Sequence, residues 1–478
     1  MEVFSDILTV LQDQWQIAGR IALVFCLGAI PIYLLLTVSL RKLLRTTEYF
    51  VVSLAGSPFV LLVFFFAISL IKIPLVVMSM PFLWLLAALL TLLFILLVFR
   101  NEAIGGFVLI FIIVSLLLRL PFLTRVLVPS YFDSAEHYRL VKALLQVYQG
   151  TSWESILPGL TSGYYHMGFH LLVAGMSFIL QADPLKVILL LGQFILVLMP
   201  LPVFFLVQRM SKDGLAALFG ALLAAFGWYM PAFAVNWGKY PALSALVPFG
   251  FVLSLMYIGT EPSLSRTTLQ RLGGLLIAGA LTAILMHSRT LILFIFSILA
   301  WSLAGFALRR GRLISVFLML VTLTLLGKQV WNLSLLRPAL EPYLSGQMGW
   351  STLIVASLSP FALHQFPRQT LFNLLFIILL LFALFIPLGN LIPGQECQTL
   401  LDRPFVEMFL FFPLALQGGI GLAGLSKALQ QGLSLVRTLR YAIPLITSLL
   451  FGAATLPAVF HYHLYLYPSS CCILMRDN

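Results

Sequence analysis

The sequence predicts an all-α, polytopic integral membrane protein. Apolar runs of about 17–25 residues recur along nearly the whole chain, and each is long enough to cross a bilayer as a helix. Of the 478 residues, 61% are hydrophobic and only 9% charged. A soluble domain is about half apolar and about a quarter charged. Length alone would suggest about three soluble domains. No polar stretch here is long enough to bury a core in water, so a single transmembrane domain, 1–478, is expected.

The elements follow from the breaks between apolar runs. Residues 1–16 carry Glu2, Asp6 and Asp13 and no Lys or Arg. They lack the basic start of a cleavable signal and read as an interfacial helix leading into the first span. Spans are expected near 17–40, 50–71, 74–99 and 103–120. Residues 121–165 form a long polar stretch. The apolar piece 167–181 is short for a span and suits a re-entrant or interfacial helix. Spans near 186–208, 214–232, 240–258, 272–287, 291–307 and 313–328 come next. A second polar, aromatic stretch covers 329–349. The last spans are expected near 350–365, 371–392, 405–424 and 441–460, about fourteen in all. The cysteines have no zinc-ligand spacing. Cys26 reads as packing within the membrane. Cys471-Cys472 reads as two free thiols, with a redox or lipidated pair as the alternative.

The formal charge of +12 would suggest nucleic acid in a soluble protein. Here the basic residues fall in short loops, which is how membrane orientation is set, and nucleic acid is not expected as a partner. Arg41/Lys42/Arg45, Arg209/Lys212, Arg266/Arg271, Arg309/Arg310/Arg312 and Lys427/Arg437/Arg440 all face the cytoplasm if 167–181 does not cross. That assignment puts all seven histidines on or near the other face. Asp133, Glu136, Glu154, Glu341 and Asp402 go with them. Titratable groups gathered at one face point to chemistry there, although loops hold polar residues in any case.

Asp133 stands out. It lies in Ser130-Tyr131-Phe132-Asp133-Ser134-Ala135-Glu136-His137-Tyr138, the first long polar break. Ionisable groups beside hydrocarbon are costly and are functional candidates by default. From Ala135, apolar residues at Tyr138, Val141, Leu145 and Tyr148 mark one stripe of an amphipathic surface helix. Asp133 and Glu136 also fit a capping box, a structural role compatible with catalysis. A helix N-terminus favours a negative charge at Asp133, as a general base requires.

Gly163-Tyr164-Tyr165-His166-Met167-Gly168-Phe169-His170 places two histidines four apart. On a helix they share a face and could hold a divalent metal with Asp133 or Glu136; hydrogen-bonded interfacial histidines are the alternative. In Asn236-Trp237-Gly238-Lys239-Tyr240-Pro241, Lys239 would suit a phosphate, or would snorkel to headgroups. In Met286-His287-Ser288-Arg289-Thr290, Arg289 beside His287 could clamp a phosphate, with ordinary interfacial anchoring as the alternative. The stretch 328–349, with Lys328, Trp331, Arg337, Glu341, Tyr343 and Trp350, suits a lid or a sugar-stacking wall, and equally a membrane-surface belt. Asp402-Arg403-Pro404 reads as structural. There is no Walker loop, nucleophile elbow or nucleotide fingerprint, so an ATP-driven pump is unsupported.

Over roughly 125–310 the chain resembles the GT-C superfamily of polytopic glycosyltransferases that use polyprenyl-phosphate-linked sugars. Phe132-Asp133-Ser134-Ala135-Glu136-His137-Tyr138 resembles their acidic loop motif. Tyr164-Tyr165-His166-Met167-Gly168-Phe169-His170-Leu171-Leu172 resembles the segment that follows it, with Met167-Gly168 replacing the usual Pro-rich core. About four spans precede the acidic loop where the family usually has one. The resemblance implies an inverting glycosyltransferase in the plasma (inner) membrane, active at the non-cytoplasmic face. Asp133 would be the general base. Lys239 and Arg289 would neutralise the departing phosphate. Glu136, His137, His166, His170, Tyr240 and His287 would bind substrate, and Asp133, His166 and His170 are the candidates for a divalent metal. The implied partners are a lipid-linked sugar donor and membrane lipids. A transporter or lipid flippase, and a non-catalytic relative of the same fold, are the alternatives.

Overall fold

The computed structural model describes residues 2–40, 43–71, 81–99, 102–126, 128–161, 166–309, 333–344, 348–388, 398–432 and 449. Among them the protein is helical, with one isolated bridge between Pro387 and Thr399 and no strand. The helices are α1 (Glu2–Leu40), α2 (Thr46–Ile71), α3 (Pro81–Phe99), α4 (Ala103–Arg119), α5 (Pro121–Arg125), α6 (Phe132–Tyr148), α7 (Trp153–Thr161), α8 (Met167–Leu180), α9 (Pro184–Leu198) and α10 (Pro200–Ser211). There follow α11 (Gly214–Phe226), a 3-10 turn (Ala232–Trp237), α12 (Tyr240–Gly259), α13 (Arg266–Met286) and α14 (Thr290–Arg309). The last are α15 (Leu333–Leu344), α16 (Met348–Gln365), α17 (Pro367–Ala383), α18 (Arg403–Phe409) and α19 (Phe411–Gly432).

Among the described residues, nine helices are long and apolar enough to cross a membrane. They include Ser5–Leu40, which is continuous with the expected interfacial helix, and Pro184–Ser211, where α9 and α10 form one apolar stretch. The span expected at 214–232 is a 13-residue helix, about 20 Å long and short of a hydrocarbon core of about 30 Å. The spans expected at 313–328 and 441–460 lie outside the described residues, as do Cys471, Cys472, His461 and His463.

The chain divides into two compact units. The first holds the described residues of Met1–Phe205 and Phe233–Thr290, the second those of Leu206–Ala232 and Leu291–His463. In the first, hydrogen bonds fix the polarity of the bundle. Glu102, just before α4, accepts from the Thr46 and Thr47 amides at 2.7 and 3.1 Å, capping the start of α2. The Thr268 hydroxyl donates to Ser39 O at 3.2 Å, which ties the start of α13 to the end of α1. Arg45 and Arg266 therefore share one end of the unit. The other end is marked by α6, whose Tyr148 hydroxyl donates to Phe65 O, in the last turns of α2, at 3.1 Å. There α12 begins and α13 finishes, because Gly259 and Arg266 are joined by a short turn at the Arg45 end.

The 14-residue α8 is about 21 Å long and does not match a bilayer core. It does not lie on a surface either, because Gly168 to Leu180 are all buried. Two glycines let it approach its neighbours closely. A Cβ at Gly168 would stand 2.8 Å from the Leu285 carbonyl carbon, and one at Gly175 would strike the Phe65 ring.

In the second unit, α16 runs beside α19 with glycines at the contact. Cβ atoms at Gly421 and Gly424 would meet Leu358 and the Phe361 carbonyl. The expected lid at 329–349 contains helix α15, whose Tyr343 hydroxyl donates to Glu407 O at 2.5 Å. Asp402 caps α18 by accepting from Phe405 N at 3.2 Å, and Arg403 pairs with Glu407 at 3.1 Å, a structural arrangement as expected. His364 lies in the last turn of α16, at the end where the Lys427 ammonium sits 4.3 Å over the Phe366 ring, so the expectations of an outer His364 and a cytoplasmic Lys427 do not both hold.

Candidate functional site

The site lies in the first unit, at the end away from Arg45, where α6, α8, the 3-10 turn and the end of α13 meet. Each element delivers one piece of it.

Helix α6 starts at Phe132, two residues earlier than the capping-box reading requires. Asp133 therefore stands in the first turn, and the N-cap is Tyr131, which makes no side-chain cap. The Asp133 carboxylate accepts from Lys239 Nζ at 2.6 Å instead of capping. Glu136 is also drawn elsewhere, into a two-pronged pair with Arg139 at 2.5 and 2.7 Å that holds its carboxyl below the usual carboxylate range. Tyr131 has φ 74° and ψ 156°, a region ordinarily reserved for glycine. A side chain held there costs on the order of 1–3 kcal/mol, and such strain concentrates at functional sites.

The buried face of α6 is not the expected stripe. Ser134, His137, Leu140, Val141, Leu144, Val147 and Tyr148 are buried, whereas Ala135 is exposed. Of the expected stripe Val141 and Tyr148 are buried, and the rest of the buried face includes His137, which the apolar pattern did not place. His137 is 2% exposed and packs edge-on against Phe169 of α8.

Lys239 is delivered by the tight turn between the 3-10 segment and α12. Gly238 has φ +63°, and a Cβ there would lie 2.6 Å from Ser134 Oγ and 2.9 Å from Ser130 O. Only glycine lets this turn close onto the first turn of α6. The Ser134 hydroxyl donates to Ser130 O beside it. Gly238 O lies 3.0 Å from His137 Nε2. Two contacts, His137 to Gly238 and Lys239 to Asp133, thus clasp the turn to α6. Behind them Tyr240 is fully buried and stacks on Phe169 at 6.2 Å, so it is part of the packing and not an open binding wall.

The histidines form two ring pairs. His137 Nδ1 lies 3.1 Å from His170 Nε2, and His170 Nδ1 lies 2.7 Å from His166 O. His166 and His287 meet edge to face at 5.0 Å, with Ser288 Oγ 3.5 Å from His166 Nε2. Burial pushes His137 down to about 4 and His170 to about 3. His166 is lowered by burial and by the charge of Arg289. Burial also lowers His287, helped by His166, Arg289 and Lys239. Arg289 and Lys239 therefore both act on one cluster.

The expected metal set does not form. His166 is the N-cap of α8 with extended backbone, so it does not share a helical face with His170. Both nitrogens of His170 face hydrogen-bond partners, and Asp133 faces Lys239. Among the described residues no group of three His, Cys, Asp or Glu side chains is placed to hold a metal. Tyr164 and Tyr165 lie outside the described residues.

Sequence reading did not anticipate the roles of Ser134, Gly238 and Phe169, or the His137–His170 pairing. The Gly beside an isolated Lys was the available signal for the turn. Asn236, fully buried with both side-chain polar atoms without a partner among the described residues, was also missed as a site neighbour. Comparison with family models, curated proteins and solved structures finds no match for the chain.

Proposed function

We propose that the protein is a membrane glycosyltransferase that moves a sugar from a polyprenyl-phosphate-type lipid donor to an acceptor hydroxyl. The observation that carries this reading is the convergence of Asp133, Lys239 and the His166–His287–Arg289 group at one end of a helical bundle. Scattered around the perimeter, these side chains could not serve one reaction. Arg45 and Arg266 at the opposite end support reading that end as cytoplasmic and the site as facing outward. A lipid phosphate at the membrane surface and a sugar in water both reach such a position.

In the reaction, Asp133 takes the acceptor hydroxyl proton. The acceptor oxygen bonds to the anomeric carbon as the bond from that carbon to the phosphate oxygen breaks, with inversion. The electron pair leaves on the lipid phosphate, where Lys239 and Arg289 offset the developing charge. Because Lys239 rests on Asp133, the phosphate must draw Lys239 away before the base is free.

The test is mass spectrometry of lipids and glycans from cells with the gene, without it, and with Asp133→Asn. The variant should reach normal protein levels and leave a lipid-linked sugar unused, as the gene deletion does. Normal product from the variant removes the base assignment. A changed lipid distribution with unchanged glycans favours a flippase.

A further inference from the structure

We propose that His137 is a positioning residue for Lys239, and that the proton arrangement it shares with His170 decides whether it holds the Lys239 turn. Three contacts run in a line: Gly238 O to His137 Nε2, His137 Nδ1 to His170 Nε2, and His170 Nδ1 to His166 O, at 3.0, 3.1 and 2.7 Å. A carbonyl only accepts, so both outer nitrogens must carry a hydrogen for all the bonds to exist. The inner contact needs one more. Two neutral imidazoles supply one N–H each, which is one too few.

The neutral pair therefore has two arrangements that keep the inner bond. In the first, His137 Nε2–H donates to Gly238 O, and its Nδ1 accepts from His170 Nε2–H; the His166 carbonyl contact lapses. In the second, His170 Nδ1–H donates to His166 O, and its Nε2 accepts from His137 Nδ1–H; Gly238 is released. The first holds the turn that presents Lys239 to Asp133, and the second lets it go. Asp133 and Glu136 on α6 and Lys239 on the turn act electrostatically on His137, His166 acts on His170, and His287 beside Arg289 couples to the same cluster. Burial keeps both rings neutral at pH 7, so the choice between the arrangements exists there.

The catalytic meaning of the switch rests on the proposed role of Lys239, but its test does not use sugar transfer. The readout is hydrogen exchange at the Gly238 and Lys239 amides, which donate to Val235 O and Ala234 O at 3.3 Å each. His137→Leu removes the hold and should speed exchange about fivefold, the equivalent of one net hydrogen bond of about 1 kcal/mol. His137→Gln keeps a donor at the Nε2 position and should protect the turn at least as well as the native residue. His170→Asn keeps a donor toward His166 O and no longer reaches His137. It leaves His137 free to hold Gly238, so exchange should be unchanged or slower, by up to about twofold for two equal arrangements. Nitrogen NMR of histidine-labelled protein should show His137 averaged between two tautomers in the native protein and fixed with the proton on Nε2 in His170→Asn. The proposal is overturned if His170→Asn loosens the turn as much as His137→Leu does. It is equally overturned if His137→Gln exchanges as fast as His137→Leu, or if native His137 is a single tautomer with the proton on Nδ1.

Discussion

Replacing Gly238 with alanine tests the clasp around which the site is built. Two costs add. Backbone at φ +63° disfavours an L-residue by about 1 kcal/mol or somewhat more. The new Cβ would then stand 2.6 Å from Ser134 Oγ and 2.9 Å from Ser130 O, so the turn must lift off α6. Lifting it stretches the His137 contact, worth about 1 kcal/mol. Overpacking of this kind usually adds about 1–3 kcal/mol. The expected loss is about 2–4 kcal/mol, read as thermal unfolding in detergent. Gly150→Ala is the control. Gly150 has φ +113° with nothing within 4 Å of a Cβ, so that substitution carries backbone strain alone. Its φ lies outside the left-handed α region, so its strain exceeds that at Gly238 and bounds the backbone share from above. If Gly238→Ala loses no more than the backbone strain of about 1 kcal/mol, the turn does not close onto α6 as described.

Other expectations follow from the same geometry. Asp133→Asn should cost under about 1 kcal/mol in stability, since its pair with Lys239 is 27–30% exposed and such pairs are weak; unfolding measurements on the purified variant check this. Gly168→Ala should destabilise by about 1–3 kcal/mol, because the Cβ would meet the α13 backbone at Leu285 and backbone cannot rotate aside; a melting curve indistinguishable from native would count against the packing of α8. Glu102→Ala should cost about 0.5–2 kcal/mol through the lost cap of α2, measured the same way. Acid should also weaken the fold. His137 and His170 titrate near 4 and 3 when folded and near 6.5 when unfolded, so between those values the unfolded chain binds protons that the native one refuses. Their contribution is complete above about pH 6.5 and is lost as pH falls toward 4, by up to about 3 kcal/mol for His137. A His137→Gln variant should show a shallower acid slope in the same titration.

The helical membrane architecture was legible in the sequence because it depends on a one-dimensional signal, the length of apolar runs, which the bilayer converts directly into helices. Within the first unit Arg45 and Arg266 share an end opposite Asp133, the separation that the loop charges lead one to expect. The site was legible by residue type but not by partnership. Asp133, Lys239, His137 and His170 were all singled out, yet Asp133 looked like a cap and His166 like a helical neighbour of His170. Both errors turn on one or two residues at a helix start: α6 begins two residues before a cap at Asp133 allows, and His166 stands just outside α8, a level of detail that local signals specify poorly. His137 shows the deeper limit. A hydrophobicity pattern assigns a histidine to water, and only the tertiary partners Gly238 O and His170 reveal why it is buried.

The ion pair at the centre of the site bears on the order of events in the proposed reaction. Lys239 and Asp133 meet at 2.6 Å while each keeps more than a quarter of its side-chain surface exposed. A partly solvated pair of this kind contributes at most about 1 kcal/mol. A lipid-linked sugar phosphate carries one negative charge, as a carboxylate does, but it would engage Arg289 as well as Lys239, and its charge grows as the sugar departs. Separating Lys239 from Asp133 is therefore a small cost beside the attraction of the phosphate for both cations. In the proposed reaction the resting lysine thus occupies the carboxylate until a donor draws it away. Two other features fit that sequence. Gly238 and His137 hold the lysine's backbone while leaving its long side chain free to swing, and Tyr131 keeps the first turn of α6 in a strained entry that fixes Asp133 beside it. The backbone is fixed by packing, and the ammonium is held by one partly exposed ion pair, so the side chain is the part that a phosphate could draw away in the proposed reaction.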